Sequence, residues 1–324
     1  MIFDLSFLNL ELESAEKKEI FQELLSHPAF GAIASHEANL QRPVWDEESF
    51  RTRFAAAATD EPEEWSDWGL APLFHDREYL EEMKHWIENE QDTLTEKIDK
   101  WIAKFTEVPQ RPGLRCIAYV GSYDGGFSPD VGSGKIYLNL PVFSCKESFL
   151  ETLVHESYHA RMVSEETSLQ YKKMEKEADP ITQLLFYTSE EGIANFVGYN
   201  GSMTTQYPVL PLRTPEEGSE ELKQLLKSYK QGEMTAQDIF NSFGQSDCCY
   251  TAGIYIANSV WEKFGIAGLE LWSAKGDVKA TTKINASQFS IVLESLEITY
   301  CNDGRIWQGS GVYIVFEAKE SDQK

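Results

Sequence analysis

Five consecutive residues, His155-Glu156-Ser157-Tyr158-His159, carry the side chains of this chain best suited to chemistry. On a helix, residues four apart lie one above the other on the same face. Both imidazoles can therefore direct a nitrogen at one ion about 2.0–2.1 Å away. Glu156 follows the first His, so its carboxylate sits beside such an ion rather than on it. There it suits a general base for a water whose pKa zinc lowers to about 7. The other positions of this stretch (Phe149, Leu150, Leu153, Val154, Tyr158, Met162) are apolar. A buried helix presenting two His and a Glu needs a partner for those groups, because burying them unpaired is costly, and a metal ion is the simplest partner.

Catalytic zinc commonly takes three protein ligands and a water. The chain has 6 His, and none lies beyond His159; His27, His36, His75 and His85 all fall in the N-terminal region. A carboxylate from the next helix is then the natural third ligand. Glu190 and Glu191, 31 and 32 residues after His159, are the two candidates.

HExxH followed on a later helix by Glu-Gly-x-Ala, here Glu191-Gly192-Ile193-Ala194, resembles the gluzincin-type metallopeptidase families. The resemblance spans roughly residues 130–265. It is closer to uncharacterised zinc-peptidase-like families sharing both motifs than to thermolysin, whose Asn-Glu-x-x-x-Asp setting is absent. It implies Zn2+ as cofactor, Glu191 as third ligand, and Glu190 turned outward or standing behind the ligands. The small Gly192 and Ala194 would let their helix approach the His-bearing helix. The resemblance also implies that the strand at 134–140, just before the metal helix, lies at the edge of a cleft, where it could pair with an extended peptide; its residues alone read equally well as an ordinary interior or edge strand. Tyr250-Thr251-Ala252-Gly253 resembles the Tyr-x-x-Gly start of a later family helix. Tyr250, or failing that Tyr255, would then donate a hydrogen bond to the developing oxyanion.

The activity implied is zinc-dependent hydrolysis of peptide bonds in a peptide or protein substrate, with Glu156 as general base. One competing reading is a zinc-binding interaction protein that cleaves nothing, against which the intact Glu156 speaks. Another is a zinc hydrolase of non-peptide amides or esters.

The elements that must position these residues change character along the chain. Residues 14–108 read as mainly helical. Asp76 caps a long amphipathic helix whose apolar positions run from Tyr79 through Leu80, Met83, Trp86, Ile87, Leu94, Ile98 and Trp101 to Phe105, until Pro109 and Pro112 stop it. The period then shifts to strands at Leu114–Val120 and Lys135–Leu140, joined by a Gly-rich loop at 121–134. Ser144 or Ser148 caps the metal helix. Further helices are expected at 180–197, 219–230 and 251–264, the last closed by Gly265, and Asn302-Asp303-Gly304 signals a C-terminal β-hairpin. The fold class is α+β, mainly helical, with a small zincin-like sheet beside the HExxH helix. Three regions are expected: helical 1–112, catalytic 113–284, and hairpin with tail 285–324.

Bulk properties narrow the partners. Fifty-three acidic against 29 basic side chains give a net charge of -24, which disfavours nucleic acid and anionic lipid surfaces. No apolar run approaches the roughly 18 residues of a membrane span, so no membrane insertion is expected. Residues 1–19 lack a basic leader segment, and the five cysteines form no CxxC pair, which together suggest reduced thiols in a cytoplasmic protein. Nothing in the sequence bears on oligomeric state.

Overall fold

The computed structural model describes residues 1–8, 17–39, 42, 46–59, 69–108, 110–122, 124–129, 134–161, 180–207, 213–235, 238 and 248–273. These fall into two compact units, one formed by residues 1–99 with 110–160 and the other by 100–109 with the chain from 161 onward. The architecture is mainly helical α+β, as the sequence periods imply. The hairpin expected at Asn302-Asp303-Gly304 lies outside the described residues.

Among the described residues, the first unit holds a four-stranded sheet of β1 (Ile2–Asp4), β2 (Arg115–Tyr119), β3 (Gly126–Phe127) and β4 (Lys135–Asn139). Its order is β1-β2-β4-β3, with β1, β2 and β4 parallel and β3 antiparallel to β4. After their exposed first residues, β2 and β4 are buried throughout. Such near-continuous apolar runs are what parallel strands covered on both faces require. β4 is therefore an interior strand, which corrects the expectation that 134–140 forms the cleft edge. Among the described residues the edge is β3, two residues inside the stretch expected to be a Gly-rich loop.

Helices α1 (Lys17–Ser26), α2 (Pro28–Asn39), α3 (Glu47–Ala57), α4 (Pro72–His75), α5 (Arg77–Ile102) and α6 (Lys146–His159) complete this unit, α5 running on into the second. Phe50 joins the first three helices, stacking on Phe21 at 5.4 Å and meeting Phe30 edge-on at 4.7 Å. On α5, Leu80, Met83, Ile87, Leu94 and Ile98 are buried, the stripe that the sequence spacing predicts. Trp86 of the same helix meets Phe149 of α6 edge-on at 5.6 Å, and Phe143 closes on Phe149 from another side at 5.4 Å.

The second unit contains α7 (Pro180–Gly198), α8 (Pro215–Lys230) and α9 (Cys248–Trp272). Thr214 and Glu217 form a reciprocal cap at the start of α8, with backbone-to-side-chain hydrogen bonds of 3.2 and 2.9 Å. Gly265 breaks α9 with φ 60° and ψ -147°, but helix resumes beyond it, so it marks a kink rather than the expected end. The segment 100–109 packs here: Trp101 donates its indole N–H to the Val197 carbonyl at 2.7 Å, and Phe105 lies against Phe196 and Trp261. The buried Glu270 accepts from the Thr106 hydroxyl and from the Glu107 amide. Among the described residues no helix is long and apolar enough to cross a membrane.

Candidate metal centre

Helix α6 is positioned by its apolar face. Phe149, Leu153 and Val154 are fully buried, and each such side chain contributes about 1.5–3 kcal/mol of burial energy. Its start is held by neither serine in the expected way. Cys145 is the capping residue, and Ser148 reaches back from the first turn to the Cys145 amide at 3.3 Å. Next to this start, the hydroxyl of the half-buried Tyr79 donates to the Phe143 carbonyl. Burial pushes that phenol up to about 12, with the neighbouring Cys145 and Glu82 adding to the effect. It therefore stays a donor across the physiological range.

The last turn of α6 carries the His pair. His155 Nε2 and His159 Nε2 stand 3.1 Å apart, with ring planes at 71°. Two nitrogens on one tetrahedral zinc at about 2.0–2.1 Å are about 3.3–3.4 Å apart, so the donor pair fits such an ion with little adjustment. A helix C-terminus also favours positive charge through the partial negative charge of its last carbonyls.

Glu156 is only 6% exposed, and its Oε1 lies 3.9 Å from His155 Nε2. That is beside the nitrogen pair and outside hydrogen-bonding range, the relation expected of a base rather than a ligand. The edge strand β3 runs along its side chain: a Cβ added at Gly126 would come within 3.3 Å of Glu156 Cγ and 2.9 Å of the Tyr137 carbonyl. A side chain there would press first on Leu138 Cδ2, at 2.6 Å, and on the Tyr137 carbonyl, and less closely on Glu156. Burial pushes the Cys116 thiol of β2 far up, and the Glu156 charge raises it further. Tyr119 on the same strand is likewise raised by burial, then by Asp124, Glu37 and Glu156.

In the second unit, Glu190 and Glu191 sit in the middle of α7 with different surroundings. Glu190 is 3% exposed, and its Oε1 accepts from the Ser273 hydroxyl at 3.2 Å. Ser273 in turn accepts from the buried Arg161 guanidinium at 3.1 Å. This overturns the outward-facing option for Glu190 and makes it part of a buried polar network. Glu191 is partly exposed. The small Gly192 brings α7 onto α9, where its neighbour is Gly253. Tyr250, in the first turn of α9, is 39% exposed, and Tyr255, one turn further along, is partly buried.

A group not singled out in the sequence lies behind β3. His36, Glu37 and Asp124 bring potential metal-binding atoms within 4.8 Å of one another. A guanidinium takes the place of a metal there: Arg42 donates to both oxygens of Asp124 at 2.7 and 3.0 Å and to Glu37 at 3.3 Å. Burial acts to raise the Asp124 carboxyl, but hydrogen bonds from His36 and Arg42 and the Arg42 charge outweigh it and hold Asp124 below the usual range. No local sequence signal marks this group, because Arg42 and Asp124 are 82 residues apart.

With this geometry in view, the chain compares as follows. Residues 21–274 match the profile of a family described as "Putative zinc dependent peptidase (DUF5700)". No match was found among curated proteins or among solved structures.

Proposed function

The chain belongs to this DUF5700 family, and on that premise we propose that it hydrolyses peptide bonds, using one zinc ion held by His155, His159 and Glu191. The observation that carries this reading is the convergence of His155 Nε2 and His159 Nε2 to 3.1 Å beside the buried Glu156 carboxylate. Zinc bound there supplies Lewis-acid polarisation of the scissile carbonyl and acidifies the attacking water.

The chain's own residues do the rest. Glu156, packed against Gly126, accepts a proton from the attacking water on a carboxylate oxygen. It then delivers that proton to the departing amine nitrogen. Glu191 is favoured over Glu190 as third ligand because Glu190 already serves Ser273 inside its own unit. Tyr250, with Tyr255 as second choice, is the donor assigned to the developing oxyanion. This division of roles is of the gluzincin kind.

Substrate backbone has a place to bind along β3. The Asn139 amide donates to the Gly125 carbonyl, and Gly126 and Phe127 stand opposite Leu138 and Tyr137. Antiparallel pairs alternate, so the polar groups of Gly126 point away from β4 toward the outer edge. An extended peptide added there would run past Glu156.

The test joins metal and activity. Native protein should hold one equivalent of zinc by elemental analysis and cleave members of an unbiased peptide library followed by mass spectrometry. A His155→Ala/His159→Ala variant should lose both. Zinc-free native protein after supplementation, or zinc-loaded protein inert toward every peptide, would overturn the reading.

A further inference from the structure

We propose that Arg42, acting with Asp124 and His36, is the positioning group that holds the peptide-binding edge strand against the catalytic carboxylate; this rests on the peptidase reading above. β3 is only two residues long and, among the described residues, pairs on one side, so its own ladder is too short to fix it. Its position must come from side chains, and they reach it from every direction.

At the N-terminal approach, Arg42 grips both oxygens of Asp124, the residue two before Gly126. A fork-to-carboxylate pair fixes angle as well as distance, which a single-point contact does not. Arg42 is itself anchored to the end of α2, with its amide donating to the Glu37 carbonyl at 3.0 Å. Glu37 is completely buried and accepts from the Ser122 hydroxyl at 2.6 Å, tying the same loop a second time. Asn139 of β4 donates through Nδ2 to the Asp124 carbonyl at 3.1 Å.

On the face of the strand, Phe127 is sandwiched. The His36 ring stacks on one side at 4.1 Å and the Tyr137 ring on the other at 4.8 Å, each within 6° of parallel. His36 Nε2 also meets Asp124 Oδ2 at 2.9 Å, so one helix-borne imidazole braces both the loop and the strand. On the opposite side of the strand, Gly126 abuts Glu156 Cγ. A β3 that is free to shift therefore withdraws the outward groups of Gly126 from an extended substrate. None of these residues reaches the reacting atoms; they act through β3, which makes them positioning residues.

The test uses the zinc-loaded full chain with Arg42→Gln, Arg42→Lys and Asp124→Asn. Amide exchange across 124–127, read by mass spectrometry, reports the clamp without reference to activity. Kinetics on peptides long enough to lie along β3, and on a short amide that is not, report its use. In Arg42→Gln, exchange should quicken and KM for the long peptides should rise about tenfold, the factor given by 1.4 kcal/mol of lost binding. The value of kcat, the zinc content and turnover of the short amide should stay near wild type. Asp124→Asn should behave alike, and Arg42→Lys should fall between. Unchanged exchange overturns the clamp whatever the activity. Faster exchange with KM unmoved, or an equal loss on short and long substrates, overturns its role in substrate binding. An active wild type with unaltered variants would sink this proposal alone, whereas a zinc-loaded wild type that cleaves nothing would sink the peptidase reading and this role with it.

Discussion

Gly192 on α7 and Gly253 on α9 touch backbone to backbone. A Cβ added to Gly192 would lie 2.2 Å from the Gly253 carbonyl carbon, and one added to Gly253 would lie 2.3 Å from the Thr188 carbonyl oxygen. Main chain cannot rotate away as a side chain can, so the two helices would have to separate. Gly253→Ala is expected to destabilise the protein by about 1–3 kcal/mol or more, the range for overpacking a close contact. Chemical unfolding would measure this. Because Glu191 precedes Gly192, zinc affinity should fall as well in Gly192→Ala, and a variant that unfolds and binds zinc like wild type would show that the contact is dispensable.

Glu156→Gln keeps the volume and the packing against Gly126 but removes the proton acceptor. Peptide hydrolysis should drop by about 10²–10⁴, the usual contribution of a positioned base. Zinc content should stay at one equivalent, since the carboxylate stands beside the nitrogen pair. Full turnover in this variant would remove Glu156 from the mechanism, while loss of zinc would recast it as a ligand.

Glu190 and Glu191 should part company when each is changed to alanine. Removing Glu190 leaves the Ser273 hydroxyl short of an acceptor in a buried setting, a loss of about 1–3 kcal/mol in stability. Removing Glu191, which is partly exposed, should cost little stability but much zinc affinity. Paired zinc titration and thermal unfolding would separate the two effects. A Glu190→Ala protein that folds normally and loses zinc would reverse the assignment.

Much of this was legible in the sequence because it is periodic. The stripe on α5 and the apolar face under the His pair follow from spacing alone, and the convergence of two nitrogens follows from placing His four residues apart. What escaped was set by distance along the chain or by brevity. β3 has two residues, too few for any alternation to show, so the sequence points to the strand at 134–140 as a cleft edge instead. Adjacent glutamates on a helix differ only in direction, and which of them is buried depends on Ser273, 83 residues away. The value of Gly192 as a small residue was readable; that Gly253 is its counterpart on α9 was not. Arg42 sits outside any motif, and nothing near it in sequence announces the carboxylate that it holds.

Acid should weaken the clamp behind β3 before it unfolds the rest. Asp124 is held below its ordinary value of 3.8: burial opposes this, and the His36 and Arg42 hydrogen bonds with the Arg42 charge outweigh it. A carboxyl lowered in the folded state contributes stability that is fully present above the unfolded value and is lost as pH falls through the folded one. The titratable and charged groups that face it are Arg42, His36 and, through Arg42, Glu37. Asp124→Asn cannot ionise, so it lacks this contribution at every pH. The stability gap between wild type and Asp124→Asn should therefore be widest near about pH 6 and narrow steadily toward about pH 3. Urea unfolding at a series of pH values would measure it, and a gap that stays constant or widens in acid would show that Asp124 is not held as a charged partner of Arg42.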